Sequence, residues 1–448
     1  MDMEMKDQVV SLLEEKKYRR LRDLLAEQNP ADLAPLMEDL EPTARAVVFR
    51  LLSKDMAAET FVELESDTQT LLIRSFSDAE LKEIVDELYV DDAVDLIEEM
   101  PANVVRRILD QTDPETRRAI NEILKYPDDT AGSLMTVEYV ALRTGLTVAD
   151  AFANIRRTGI DKETIYNCYV VDDDRKLLGM VTAKSLMLAD EDEIIDDLTE
   201  HDIITVRTLE DKEEVARKFA KYDLLAIPVV DSEDRLVGIV TVDDAIDVIQ
   251  EEATEDMEKM AAITPTDKPY LHTGVFETWT KRIPWLLLLM ISAAFTGKII
   301  QSFESALAAQ VALTAFIPML MDTAGNSGSQ ASVSVIRALS LGDVRMGDVL
   351  RVMWKEARVA LLCGLTLAVA NFGKMMLFDR VGLWVSLAVC VTLVITVLFA
   401  KLVGSTLPIL AKRIGFDPAV MAAPFITTIV DALSLLVYFN VASLLLHL

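Results

Sequence analysis

PFITTIVDALSLLVYF, residues 424 to 439, reads as a lipid-soluble helix except at one point, where Asp431 puts a carboxylate near its middle. An Asp at a bilayer centre costs roughly 2.5 to 3.5 kcal/mol on insertion scales, so it has to find a partner, a wet cavity or a function. Which of these holds decides whether the C-terminal part of the chain is an inert anchor or working machinery.

The chain has 448 residues and a formal net charge of −29, which suggests an acidic soluble protein, yet 51% of its residues are hydrophobic. The two facts belong to different parts. Residues 281 to 448 hold 13 Lys+Arg against 8 Asp+Glu, a net of +5, so residues 1 to 280 carry a net of −34. A hydrocarbon core of ~30 Å takes about 20 helical residues. Five runs in the second part are long enough, at roughly 283 to 303, 305 to 339, 355 to 378, 382 to 411 and 418 to 446. Lys281 and Arg282 precede the first. Arg345, Arg351, Lys355 and Arg358 lie between the second and third, and Lys412 and Arg413 between the fourth and fifth. If the spans alternate, all these basic residues share one side, which places the acidic N-terminal part in the cytoplasm and the C-terminus outside.

MDMEMKDQVV has neither a basic n-region nor an apolar core, and no signal peptide is expected. Cys168, Cys363 and Cys390 lie far apart with no CxxC spacing and are expected as buried free thiols. His201, His272 and His447 are equally isolated, leaving no material for a zinc site or a His-based triad. No enzyme and no nucleic-acid partner are expected.

Residues 1 to about 125 are rich in Leu, Glu, Arg and Ala at helical spacing. Three segments look alike: ADLAPLMEDLEPTARAVVFRLL from Ala31, AAETFVELESDTQTLLIRSF from Ala57 and DDAVDLIEEMPANVVRRILD from Asp91. Each reads as a helix, a short turn and a second amphipathic helix, the unit of a superhelical array. A different repeat follows. YVVDDDRKLLGMVTAKSL, from Tyr169, returns as IPVVDSEDRLVGIVTVDDAI, from Ile227, with Gly179 on Gly238 and Thr182 on Thr241, an offset of 59 in both. Strand, acidic turn, strand ending in Gly-φ-Val-Thr and helix resemble a pair of CBS domains, α/β modules that dimerise and often bind adenine nucleotides. Such modules commonly place an Asp three residues after that Thr to hold a ribose. The second copy has it as Asp244 and the first has Ser185. ATP at the pair and a purely mechanical or metal-sensing pair are both open on this reading.

After the second copy, DVIQEEATEDMEKMAAI reads as an acidic helix on which Asp247, Glu251, Glu255 and Glu258 share a face. Like charges at that spacing repel by a few tenths of a kcal/mol per pair. A solvated face is the ordinary explanation. The alternative is that this helix, which leads into the first span, and the acidic edge at Asp91, Asp92 and Asp95 are drawn together by hard dications, which bind clustered carboxylate oxygens.

The second span is too long for one crossing, because 35 residues make ~52 Å of helix. A bend or break is expected in its middle, at PMLMDTAGNSGSQ, Pro318 to Gln330, where Pro removes a donor and Gly325 and Gly328 loosen the ladder. Irregular backbone at that depth must line protein or water, although small residues also permit close helix packing. In the fifth span Pro424 is expected to bend the helix, Thr427 and Thr428 precede Asp431, and Asp431 lies ~21 Å of rise beyond Asp417. One carboxylate is a poor dication site, but a two-fold dimer would bring two onto one axis. Two Asp431 carboxylates around a hydrated ion suit magnesium, which dehydrates reluctantly, better than calcium, which wants about six to eight oxygens.

A helical N-domain, a CBS pair, an acidic linker and five spans, with AGNSGSQ from Ala324 and FDPAVMAAPFITTIVDALSLLVYF from Phe416, are similar to the MgtE family of bacterial magnesium channels. The resemblance covers the whole chain and implies a multidomain membrane protein. Its expected parts are an all-α superhelical N-domain over 1 to 128, α/β tandem CBS domains over 129 to 248, an acidic linker (plug) helix over 249 to 275 and a five-helix transmembrane domain over 276 to 448. It implies a homodimer in the lipid bilayer of a bacterial inner (plasma) membrane. Mg2+ would be both substrate and regulatory ligand, with the pore on the dimer axis. By resemblance Asp431 falls on the pore carboxylate, and Gly325, Asn326, Gly328, Pro424, Thr427 and Thr428 fall along the ion pathway. Asp417 falls on the acid at its cytoplasmic entrance. Asp91, Asp95, Glu213, Asp223, Asp244, Asp247, Glu252, Glu255 and Asp256 fall on acids that bind intracellular Mg2+ and hold the channel closed.

The chain departs from the family pattern at Ala324, where relatives often have glycine, at Ala422 and Ala423, and at Asp322, an acid the pattern does not place. No GxxxxGK[ST] motif occurs, in keeping with passive flow. Two other readings compete with the channel: a proton- or cation-coupled carrier in which Asp431 titrates, against which five spans show no inverted repeat, and a non-conducting membrane Mg2+ sensor.

Overall fold

The computed structural model describes residues 3 to 447, apart from 267 to 269, 272 and 422, so His272 and Ala422 lie outside the described residues. The chain divides into two compact units, Met1–Ile249 and Gln250–Leu448.

In the first unit ten helices of 8 to 12 residues occupy Met3–Ile123. Local signals start them. Asn29 accepts from the Ala31 N–H, Ser77 and Glu80 form a capping box, Asp113 accepts from Glu115 and Thr116, and Pro30, Pro42 and Pro114 open helices where a missing N–H does no harm. The repeat pairs are present as Pro30–Glu38 with Pro42–Phe49, Lys54–Val62 with Ser66–Ser75, and Val90–Glu99 with Ala102–Gln111. From Pro30 on most helices pack on the one after next, and Phe49, Phe61 and Phe76 meet with ring centroids 5.3 to 6.5 Å apart. Arg45, 7% exposed, donates to the carbonyls of Met37, Glu38 and Leu40, satisfying the C-terminal end of the first helix of its own repeat, and to the Thr68 hydroxyl of the next. Arg107 donates to the carbonyls of Ile73 and Phe76, at the end of the preceding repeat.

The CBS repeat forms two three-stranded sheets, each with one parallel and one antiparallel pairing. Their turns interlock through equivalent residues. The Leu177 N–H donates to Asp234 O at 3.0 Å and the Leu236 N–H to Arg175 O at 3.0 Å, partners that the 59-residue offset exchanges. Each sheet also takes a bridge from the segment that precedes the other copy, Thr136 onto Ile239 and Glu200 onto Met180. The glycine of each Gly-φ-Val-Thr stretch lies under that bridge: a Cβ on Gly179 would sit 2.4 Å from Glu200 O, and one on Gly238 2.8 Å from Thr136 O.

The acidic helix runs Val242–Met260 without a break at 248, and the chain is not helical from Ile263 to Thr266. The expected linker helix over 249 to 275 is therefore shorter. Ala262 turns left-handed at φ 55, its Ile263 neighbour donates back to Glu258 O, and Pro265 follows.

Among the described residues of the second unit five long helices follow: Val275–Ser302, Ile317–Ser340, Val349–Lys374, Leu383–Arg413 and Ala423–Leu446. Among the described residues four stretches are long and apolar enough to cross a membrane, Val275–Ser302, Met346–Asp379, Leu383–Arg413 and Pro418–Leu446. Ile317–Ser340, rich in Ser, Gly, Asn and Gln, is not among them, and it packs along both Leu383–Arg413 and Ala423–Leu446. The break expected within Pro318 to Gln330 lies earlier. A short helix Glu304–Ala309 and a 3-10 segment Val311–Phe316 absorb the excess length, and Ile317–Ser340 is continuous, with Pro318 in its first turn. Pro424 likewise stands in the first turn of its helix and bends nothing. Both prolines occupy the place where a helix has no N–H to lose.

Gly404 of the fourth long helix meets Gly328 of the second so closely that a Cβ there would lie 2.2 Å from Gly328 O. Gly404→Ala is expected to lower the thermal stability of the detergent-solubilised protein by at least the ~1 to 3 kcal/mol of an overpacked core. Gly373→Ala, where a Cβ meets nothing within 4 Å, should leave it unchanged. Melting followed by size-exclusion chromatography reads both.

Candidate functional site

The Asp431 carboxylate is placed by one helix pair. A Cβ on Gly325 would lie 3.0 Å from Thr427 Cγ2 and 3.9 Å from Asp431 Oδ1, so the Thr427–Asp431 face of Ala423–Leu446 lies against the glycine of the polar helix. Thr427 and Thr428 donate their hydroxyls to Pro424 O at 2.9 and 3.1 Å. Each proton is thereby turned to the helix's own backbone, and the oxygen lone pairs remain for an outside donor such as an ion's water. Gly328 is buried against Ile426 and Ala400, a helix-packing position, whereas Asn326 is exposed on the other face, lining a cavity with Asp322, Gln330 and Lys401. Among the described residues no three His, Cys, Asp or Glu side chains come close enough together to hold a metal ion. A single copy of this chain therefore offers one carboxylate beside the glycine of the polar helix.

Asp417 is already engaged: Oδ1 accepts from the Ala419 N–H at 2.8 Å and Oδ2 from Lys259 Nζ at 2.7 Å. Lys259 also pairs with Glu255 at 2.6 Å. Burial by itself would lower the ammonium's pKa, but hydrogen bonds to Asp417 and Glu255 outweigh it and hold it above the usual lysine value. Lysine here stands where sequence reasoning expected a cation to bind Glu255 and Asp417.

A second carboxylate group lies in the first unit. Asp91, 8% exposed, and its neighbours Asp92 and Asp95 on Val90–Glu99 face Asp243 and Asp244, in the first turn of Val242–Met260, and Glu163 beside them. Glu138 closes the N-terminus of the first helix by accepting from the Val90 N–H at 3.0 Å. Asp244 accepts the Thr241 hydroxyl at 2.6 Å, while in the first copy Ser185 and Thr182 share the equivalent bond at 2.9 Å. Burial and mutual repulsion push the acids up: Asp91 well above its usual range, Asp92 to about 7, Glu163 to about 8 and Asp244 to about 6. Asp95, which keeps solvent contact, and Asp247 rise for the same reasons. Glu163 Oε2 is buried without a hydrogen-bond partner. Oxygen-rich, mutually repelling and short of positive charge, the group would be relieved by a divalent cation, although no three of its carboxylates stand close enough together here to hold one.

Of the acids singled out from sequence, Asp91, Asp95, Asp244 and Asp247 come together. Glu213 is held by Arg217, and Asp223 ends its helix in a left-handed conformation. Glu252 and Asp256 stand on Val242–Met260. Sequence reasoning missed Glu138, Glu163 and Asp243, which reach the group from strand ends and a helix start. It also missed Lys401, whose signal was in view as the one charged residue between Leu383 and Leu410.

Carboxylates with raised folded-state pKa values favour the protonated fold. The stability they contribute is present at low pH and is lost as pH rises from their unfolded value near 4 through about 7 to 8. Hydrogen exchange on the full chain without divalent ions should therefore show Val90–Glu99 less protected at about pH 8 than at about pH 6, after correction for intrinsic rates. Asp92→Asn should reduce the difference, and pH-independent protection would contradict the repulsion.

Comparison with known proteins bears on both sites. Residues 28–129 match the MgtE intracellular N domain, 131–192 and 195–251 match CBS domains, and 317–441 match the MgtE model, described as a divalent cation transporter. The chain is 41% identical over 445 residues to the magnesium transporter MgtE of Thermus thermophilus, covering 97% of each. It is 33% identical to that of Bacillus subtilis, over 98% of this chain and 97% of the relative. A crystal structure of the cytosolic domain of the Mg2+ channel MgtE in complex with ATP is 40% identical, with a TM-score of 0.52, over 54% of this chain and 99% of that one. With N domain, CBS pair and transporter region matched in order and the relatives matched almost end to end, this chain belongs to the MgtE family, a family of transporters and not of enzymes.

Proposed function

We propose that the chain is a homodimeric Mg2+ channel of a bacterial plasma membrane, with its N-terminus in the cytoplasm, that admits Mg2+ passively. The observation that carries this is the position of Asp431, a carboxylate within an apolar helix that faces Gly325 of the one polar long helix. Two copies related by a two-fold axis would supply two such carboxylates, the number Mg2+ commonly takes while keeping most of its waters. Thr427 and Thr428 would accept from those waters, with Gly325, Asn326 and Pro424 along the pathway and Gly328 behind it, packing the polar helix against its neighbours. A dication gains about 4.6 kcal/mol per 100 mV of inside-negative potential, which suffices without ATP hydrolysis.

Closure by intracellular Mg2+ is part of the same reading. The ion would relieve the repulsion among Asp91, Asp95, Asp244 and Asp247, and its absence would let that repulsion part them. Asp223, Glu252 and Asp256 would complete the set, and Glu213 would join only by giving up Arg217, Glu255 and Asp417 only by giving up Lys259. ATP, held by the related cytosolic domain, would sit at the CBS pair with Asp244 as its carboxylate. The helical N-domain over 1 to 128, the CBS pair over 129 to 248, the linker over 249 to 275 and the membrane domain from 276 are assigned on this basis.

Mg2+ uptake into proteoliposomes tests the pore. Asp431→Ala and Asp431→Asn are expected to reduce flux roughly tenfold or more, since a lost charge contact at the site is worth at least ~1.4 kcal/mol. Unchanged flux would remove the channel reading, and flux that follows an imposed pH gradient would replace it with a coupled carrier. Equal flux at low and high internal Mg2+ would sink the gating part alone.

A further inference from the structure

The proposed pathway runs past Asp431, Gly325 and Asn326 and leaves a buried ion pair in the same unit unexplained. Lys401 is 5% exposed and belongs to an otherwise uncharged stretch of Leu383–Arg413. Its Nζ lies 3.8 Å from Oε2 of Glu356 on Val349–Lys374, with side chains 6% and 14% exposed. That distance is too long for a hydrogen bond, so the two charges balance each other without the ammonium's donors being consumed. Lys401 lines two cavities at once. One, of about 830 Å³, includes Asn326, Gln330 and Glu356, and the other, of about 500 Å³, includes Asp322, Asn326 and Gln330.

A buried charge pair inside apolar helices is expensive, and well-packed apolar residues would usually serve packing as well or better. Its position suggests what it does instead. Asp322 lines the smaller cavity together with Asn326, Gln330 and Lys401, so this wall carries a carboxylate that attracts dications. Conduction requires binding weak enough to release the ion. A fixed ammonium beside Asn326 and Gln330 opposes that attraction, and Glu356 limits how far it does so.

We infer that Lys401 and Glu356 are a specificity-determining pair for ion passage, in which the Lys401 ammonium weakens and the Glu356 carboxylate strengthens the hold of the Asn326–Gln330 wall on a passing divalent cation. Neither is a ligand, and both act through the field they set. The inference rests on the channel reading above.

Concentration-dependent Mg2+ uptake by the full chain in proteoliposomes tests it. Lys401→Met should lower the half-saturating Mg2+ concentration by about threefold or more, and Glu356→Gln should raise it by a similar factor, because unit charges at such distances act at an effective dielectric near 20. The double variant Lys401→Met with Glu356→Gln, and Lys401→Arg, keep the local net charge and should rescue the wild-type value to within about twofold. A purely structural salt bridge would move both single variants in the same direction, and that result, or no shift in either, overturns the pair's role while wild-type flux stands. A wild type that carries no Mg2+ overturns the channel reading and this inference with it. If a neutral single variant fails to fold, Lys401→Arg and the double variant decide: a change beyond about twofold in either overturns the inference.

Discussion

The membrane part depends on one backbone contact, Gly404 against Gly328, with no room for a Cβ between them. Ile317–Ser340 is too polar to face lipid along its length, and only close approach to its neighbours lets it stay among apolar helices. That approach buries Gly328, Ser327 and Ser332, places Gly325 opposite Thr427 and Asp431, and turns Asp322, Asn326 and Gln330 outward toward the cavities that Lys401 lines. A methyl group at Gly404 would push the polar helix off the helix beside it and shift each of these placements together.

The first unit is built on the opposite principle, holding like charges near one another. The interlocked CBS copies, joined through residues that the 59-residue offset exchanges, set Thr241 and Asp244 where Val90–Glu99 presents Asp91 and Asp95. Glu138 adds a carboxylate that is also the cap of that helix. The scaffold is thus under electrostatic load that protons or a divalent cation can relieve.

Much of this was legible from local signals. The helix pairs of the N-terminal array, the two CBS copies and the long apolar helices each follow from periodicity and capping within a few residues, and Asp431 announces itself because a lone charge in an apolar run has no local explanation. Pro318 and Pro424 misled for a local reason. A proline signals a bend inside a helix and a start at its first turn, and only the position of the neighbouring 3-10 segments tells the two apart.

By itself, then, the sequence determined which stretches are helix, strand or membrane-length apolar run, since those depend on period, propensity and caps along the chain. What only the tertiary structure decided is company. Glu163 and Asp243 join Asp91, Lys259 takes Glu255 and Asp417 as its partners, Gly328 packs while Gly325 faces Asp431, and Lys401 stands between two polar cavities. The physical reason is that charge interaction and steric fit act through space between residues distant in the chain, so no spacing along it records them.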